Sequence, residues 1–312
     1  MADRKKLFFI FNPKAGKMEL AKNLYPVINC FVEAGFDVTV RPTQSPLDAF
    51  ESAKERAGEF DYLVCSGGDG TFSQVVSGLM HCQKRPVLGY IPAGTTNDFA
   101  ASLGLPKDIE QAARCIVSGR KTAVDVGRFN DDYFSYVAAF GIFTDVPYDT
   151  PQELKNLFGH AAYVMEGIKR LTNMRTYRCV LEQNGQQVER DYLLGIISNS
   201  ISLGGFQGLS SERVQLNDGE FEALFVAQPQ NLNDLNLIVQ SFLRKEKLSD
   251  CLQFFRTSRV EIELCDEIHW TLDGEYGGSP EHVVIQNMRE AVEIMVPDDS
   301  TEVFGGLKPA ND

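Results

Sequence analysis

Two rhythms of apolar residues divide this chain. In its first third, unbroken apolar runs alternate with apolar residues at helical spacing. Leu7 to Phe11 is a continuous apolar run, the mark of a strand buried on both faces. Past the loop Asn12-Pro13-Lys14-Ala15-Gly16-Lys17, the positions Leu20, Leu24, Val27, Ile28, Phe31 and Val32 recur with the period of a helix. The same pattern predicts strands over 36–40, 62–65 and 87–91, and helices over 46–57, 72–80 and 108–117. Repeated strand–helix units imply a parallel sheet covered by helices, and such sheets gather ligands at the carboxyl ends of their strands.

From about Thr122 the rhythm becomes strand after strand. Segments 122–129 and 133–140 turn at Asn130-Asp131, and 176–182 and 188–198 flank Asn184-Gly185, a hairpin signal. Strands over 220–226, 260–264, 268–272, 282–286 and 291–296 follow, interrupted by helices over 151–171 and 232–243. The expected fold class is therefore α/β plus all-β. A Rossmann-like α/β nucleotide-binding domain covers 1–125, an antiparallel β-sandwich covers 126–290, and 291–312 forms a last strand and tail returning to the first domain.

Composition narrows the partners. A formal net charge of -13 over 312 residues argues against nucleic acid, whose phosphates require a broad basic face. The apolar run at the N-terminus is too short for a secretory signal, and no stretch approaches the ~20 apolar residues that span a bilayer. The seven cysteines are scattered without metal-ligand spacing and read as small core residues of a reduced, cytoplasmic protein.

Candidate chemistry sits at strand ends. Gly67-Gly68-Asp69-Gly70-Thr71 falls between a predicted strand and the helix of Phe72 and Ser73. Its glycines let backbone approach a phosphate, and the helix N-terminus offers free N–H groups. Asp69 would repel an anion unless a cation such as Mg²⁺ stood between them. The plainer reading is a tight glycine turn with Asp69 as a helix cap. The segment lacks the spacing of a Walker loop or a dinucleotide fingerprint. A second loop, Gly94-Thr95-Thr96-Asn97-Asp98, follows the next strand and faces the same crevice. In the first loop Lys14 and Lys17 could reach phosphate oxygens, and Thr43 also falls on the carboxyl edge. Far downstream, Leu272-Asp273-Gly274-Glu275 reads either as a polar turn or as a carboxylate pair leaving a strand.

Taken together, Asn12–Lys17, Gly67–Thr71, Gly94–Phe99, Val124–Gly127 and Leu272–Glu275 resemble the soluble bacterial diacylglycerol kinase family. That family is similar to sphingosine and ceramide kinases and more distantly to NAD kinases. The resemblance covers nearly the whole chain in the right order. It implies the NAD kinase-like architecture, with ATP held between the two domains. Asn12, Pro13, Lys14, Ala15, Gly16, Lys17, Thr43, Gly67, Gly68, Asp69, Gly70, Thr71, Phe72, Ser73, Thr95 and Asn97 would line the nucleotide. Asp69, Asp98 and Asp125 would organise Mg²⁺ and phosphates. Asp273 would take the proton from the lipid hydroxyl, and Glu275 would assist at the metal–phosphate centre. Gln215, Asp218 and Glu220 resemble a second, structural Mg²⁺ site, Asp218 through its side chain and the others through carbonyls; the alternative is an ordinary Asn-Asp-Gly turn.

The implied activity is phosphoryl transfer from ATP to diacylglycerol or a related membrane lipid, giving phosphatidic acid from diacylglycerol. The rivals are an NAD kinase-like enzyme and a non-catalytic nucleotide-binding regulator. A lipid acceptor requires contact with the inner membrane face. Lys155, Lys169, Arg170, Arg175 and Arg178, interleaved with Phe158, Tyr163 and Met165, form a candidate membrane patch. An amphipathic helix with a solvated charged face is the bland alternative. Glu166 stands where some relatives carry a lysine, and relatives make a homodimer an expectation.

Overall fold

A computed structural model describes residues 4–16, 19–141, 175–183, 186–199, 215–244, 247–265 and 267–298. Four parallel strands open the chain: β1 (Lys6–Phe11), β2 (Asp37–Pro42), β3 (Tyr62–Gly67) and β4 (Val87–Pro92). They lie in the order β4-β3-β1-β2, with Phe9 opposite Val40 on one side and Val64 on the other. Helices α1 (Glu19–Glu33), α2 (Asp48–Arg56) and α3 (Asp69–Met80) connect them, and α4 (Asp98–Ser102) and α5 (Ile109–Ser118) follow β4. The apolar run over Leu7–Phe11 is buried throughout because helices cover both faces. Phe8 and Ile10 meet α2 and α3 residues on one side, while Leu7 and Phe9 meet Val27 and Phe31 of α1 on the other.

The remainder is mostly antiparallel: β5 (Arg120–Phe129), β6 (Asp132–Phe134), β7 (Val137–Gly141), β8 (Tyr177–Gln183), β9 (Gln186–Ser198), β10 (Phe221–Ala227), β11 (Leu252–Thr257), β12 (Arg259–Leu264), β13 (Trp270–Leu272), β14 (Glu275–Tyr276) and β15 (His282–Val296), with α6 (Leu232–Arg244) between β10 and β11. Trp270, Phe140, Phe221 and Phe225 are the large buried side chains of this second core.

One strand joins the halves. β15 pairs antiparallel with β12 and β5 and, near its end, parallel with β4. The two strands expected over 282–286 and 291–296 are thus a single element, irregular where Glu290 adopts φ 50°. The strand expected over 133–140 is instead two, β6 and β7, broken at Ser135-Tyr136. The helix expected from Phe72 starts at Asp69, inside the glycine motif. Three elements were not expected from the sequence: the short α4, the strand β11 and the two-residue strand β14. The helix expected over 151–171, the hairpin turn at 184–185 and the tail beyond Asp298 lie outside the described residues. No described helix is long and apolar enough to cross a membrane.

Candidate active site

Three loops leave β1, β3 and β4 at the same edge of the parallel sheet and pack backbone to backbone. Gly16 has φ +51°, and a Cβ there would lie 2.0 Å from the Ala93 carbonyl oxygen, so the first loop can close on the third only as glycine. A Cβ on Gly94 would lie 2.5 Å from the Gly68 Cα. Sequence spacing alone brings none of these contacts; the sheet does, by placing β3 between β1 and β4.

Each loop is braced from within. The Asn12 N–H donates to the Ser66 carbonyl at 2.9 Å and its Oδ1 accepts from the Lys14 N–H at 2.9 Å. Asn97, at φ 54°, accepts from the Gly94 N–H and donates to the Gly94 carbonyl, both at 2.9 Å. Its amide thereby closes its own loop instead of facing outward as expected of a nucleotide contact. Phe72, also expected at the nucleotide, has its ring in the core, 4.5 Å from the Tyr90 ring and 5.1 Å from that of Phe99. Helical phase puts it there: it follows the motif by one residue and faces the sheet. Thr95 and Lys14 are exposed, Pro13, Ala15 and Thr43 are half-buried, and the Thr43 N–H continues the ladder to Phe11 at 2.9 Å. Lys17 lies outside the described residues.

Asp69 begins α3, where its Oδ2 accepts from the Asp98 N–H at 3.2 Å. Its Oδ1 is buried and has no protein partner. Burial, and then the charge of Asp98, push its carboxyl up, opposed by N–H groups of the third loop. An orphaned carboxylate oxygen beside a second carboxylate fits Mg²⁺, which takes one or two protein carboxylates and completes its shell with phosphate oxygens and water. Among the described residues no group of three or more His, Cys, Asp or Glu side chains could hold a metal without such help.

Asp273 comes to this place from the far end of the chain. It sits at φ 51° in the β13–β14 turn and is buried. Its Oδ1 accepts from the N–H groups of Tyr136 and Val137 at 2.9 and 3.0 Å. Its Oδ2 accepts from the Ser135 N–H and from the Ser73 hydroxyl, each at 2.6 Å. The break between β6 and β7 now has a cause: three successive N–H groups leave the ladder to hold one carboxylate. Burial pushes the Asp273 carboxyl up, and the donated hydrogen bonds oppose that shift. Glu275 is exposed on the same turn, its Oε1 3.2 Å from where a Gly70 Cβ would lie. The first turn of α3 and the Asp273 turn therefore form one site.

Two expected site regions lie elsewhere. Asp125 is fully buried in β5, with Oδ2 on the Gly219 N–H and Oδ1 on the Glu290 N–H, each at 2.7 Å. Its carboxylate ties the 215–220 turn to β15 and does not reach the crevice loops through any described bond. At the expected second metal site, Asp218 accepts from the Glu220 N–H at 3.0 Å and is paired with the guanidinium of Arg256. Arg256 also lies 3.2 Å from Glu220 and 3.6 Å from Glu222. The cation facing Asp218 is thus a side chain of β11, and the residues as placed do not fit a metal held by Asp218. Gln215 remains the half-buried entry to that turn. The sequence reading missed Arg256 because it missed β11.

Of the proposed membrane patch, only Arg175 and Arg178 are described. Arg178 is paired with Glu189 at 2.7 Å, and Arg175 stacks over Tyr177 and donates to the Glu267 carbonyl. Lys155, Phe158, Tyr163, Met165, Glu166, Lys169 and Arg170 lie outside the described residues. A separate polar cavity of about 420 Å³, lined by Arg41, Asp48, Glu51 and Arg56 among others, opens beside the loop after β2.

Comparison with known proteins adds the family. A sequence model of the diacylglycerol kinase catalytic domain matches residues 6–129. A diacylglycerol kinase of Bacillus subtilis (strain 168) is 34% identical over 302 residues, covering 96% of this chain and 98% of its own. One of Staphylococcus carnosus (strain TM300) is 35% identical over 300 residues, covering 95% and 96%. The fold is shared with a crystal structure of a diacylglycerol kinase from Bacillus anthracis str. Sterne, with a TM-score of 0.71 and 24% identity over 95% of this chain and 98% of that one.

Proposed function

This chain belongs to the diacylglycerol kinase family, and on that premise we propose that it transfers the γ-phosphoryl group of ATP to the free hydroxyl of diacylglycerol, releasing ADP and phosphatidic acid. As a member of that family it is a lipid kinase. The observation that carries the finer reading is the 2.6 Å bond from Ser73 to Asp273, residues 200 positions apart. It unites a phosphate-type loop with a buried carboxylate, the pair that phosphoryl transfer to a hydroxyl needs.

The parts divide the work as follows. The N-terminus of α3 presents N–H groups and a positive dipole end to the phosphates, and the closely packed backbone of Gly68 and Gly94 leaves room for them to approach. Asp69 and Asp98 would hold Mg²⁺, which when bound neutralises charge spreading over the transferred group. Asp273 accepts the proton of the acceptor hydroxyl, and its raised carboxyl makes it a better base than an ordinary aspartate. Glu275, over Gly70, lies between the two halves and orients the reacting groups. Binding at the inner membrane face supplies the acceptor, with ATP arriving from solvent.

Incubation with γ-labelled ATP and a total lipid extract tests this directly. Label in phosphatidic acid is the expected result. Label in a different lipid, or only in NADP when NAD is added, would replace diacylglycerol as the acceptor.

A further inference from the structure

A carboxylate offers about four lone-pair directions. Asp273 has four donors: the N–H groups of Ser135, Tyr136 and Val137, and the hydroxyl of Ser73. An acceptor hydroxyl can reach this carboxylate only if one donor leaves. Three of them are backbone groups fixed where β6 breaks into β7. Ser73 is different: its hydroxyl moves by rotation about a single side-chain torsion, and the residue is half-buried, not sealed in the core. It is also an aliphatic hydroxyl donating to Oδ2, which is what an acceptor alcohol would be.

We infer that Ser73 stands in for the acceptor hydroxyl on Asp273, capping the base against water until an acceptor alcohol displaces it. This rests on the kinase reading of the same site. It assigns to Ser73 a positioning role in place of the nucleotide contact expected from its motif. A kinase holding ATP beside an uncovered base would hydrolyse it: a water oxygen bonds to the γ-phosphorus, the bond from that phosphorus to the β,γ-bridging oxygen breaks, ADP leaves, and the water proton passes to Asp273 Oδ2. A protein hydroxyl on that oxygen keeps water from the position. The cap costs the acceptor a competition for Oδ2 and leaves transfer to a true acceptor intact.

The test compares wild type with Ser73→Ala in Mg²⁺ and ATP with no lipid present, following ADP release. The cap predicts a rise of about tenfold or more, a fraction of the roughly 10²–10⁴-fold that a positioned base contributes. It also predicts a lower KM for the acceptor lipid and restoration of the low lipid-free rate by Ser73→Thr. A merely structural serine would lower both rates together. Should Ser73→Ala fail to fold, Ser73→Cys, near in volume and a weak donor, carries the same comparison. Lipid-free ADP release that does not rise overturns the cap, as does recovery of wild-type protein phosphorylated on Ser73. The lipid-free assay involves no acceptor, so failure of the diacylglycerol reading would appear separately, as absent phosphatidic acid in the wild type.

Discussion

At the scale of single residues, the chain holds several buried carboxylates whose surroundings push them in opposite directions. Asp48 is held below the usual carboxylate range, chiefly by Arg41 at 2.8 Å and also by the Gln44 N–H and Ser52 hydroxyl. Glu222 is pushed up to about 7 by burial, against the pull of Arg256. Between its ordinary value near 4.5 and about 7, the folded chain keeps a proton on Glu222 that the unfolded chain has released. Stability is therefore greatest below the lower value and falls as pH rises through the window. Relative to Glu222→Gln, the wild type should lose about 2–3 kcal/mol of unfolding free energy between pH 4.5 and 8. Urea titrations of both proteins across that range check it; parallel curves would show that Glu222 does not titrate there. None of this was legible in the sequence, because Arg256 meets Glu222 only through the β10–β11 register.

Elements show where sequence reasoning succeeds. Buried parallel strands announce themselves as apolar runs, so β1, β3 and β4 were read to within a residue or two of their bounds. The motifs that end them were legible for the same reason. What failed were features decided by distant partners. The break between β6 and β7 follows from the Asp273 carboxylate, which lies 136 to 138 residues downstream of the N–H groups it draws out of the ladder. The fusion of two expected strands into β15 leaves a local irregularity at Glu290, whose N–H goes to Asp125. Asp125 also accepts the Gly219 N–H, and its own backbone bonds Leu216 and Asn199. Asp125→Ala should therefore leave the part-buried N–H groups of Gly219 and Glu290 without their acceptor and cost about 2–4 kcal/mol, a loss of several degrees or more in Tm. Any loss of transfer should accompany that instability. A variant of normal Tm that had lost Mg²⁺-ATP affinity would instead return Asp125 to the catalytic group.

For the whole molecule, the question is how a nucleotide-type α/β half and an antiparallel half make one site. An aromatic series crosses the join: Tyr90 to Phe72, Phe72 to Phe99, and Phe99 to Tyr136, with centroids 4.5, 5.1 and 6.1 Å apart. At one end the Tyr90 hydroxyl donates to the Gly67 carbonyl at 3.3 Å beneath the phosphate-type loops. At the other, Tyr136 donates to Asp273 through both its N–H and its hydroxyl. The motif order foretold that both halves would contribute carboxylates; this apolar bridge left no sequence signal, since its members read as ordinary core. On the proposed function, Asp273 works on a nucleotide held by the Asp69 helix. Asp273→Asn preserves size and much of the hydrogen bonding while removing the base. The most direct measurement takes that variant and the wild type through both calorimetric binding of Mg²⁺-ATP and transfer of labelled phosphate to diacylglycerol in mixed micelles. Binding should stay within a few-fold of wild type while transfer falls by roughly 10²–10⁴-fold. Transfer near the wild-type rate would show that Asp273 is not the base.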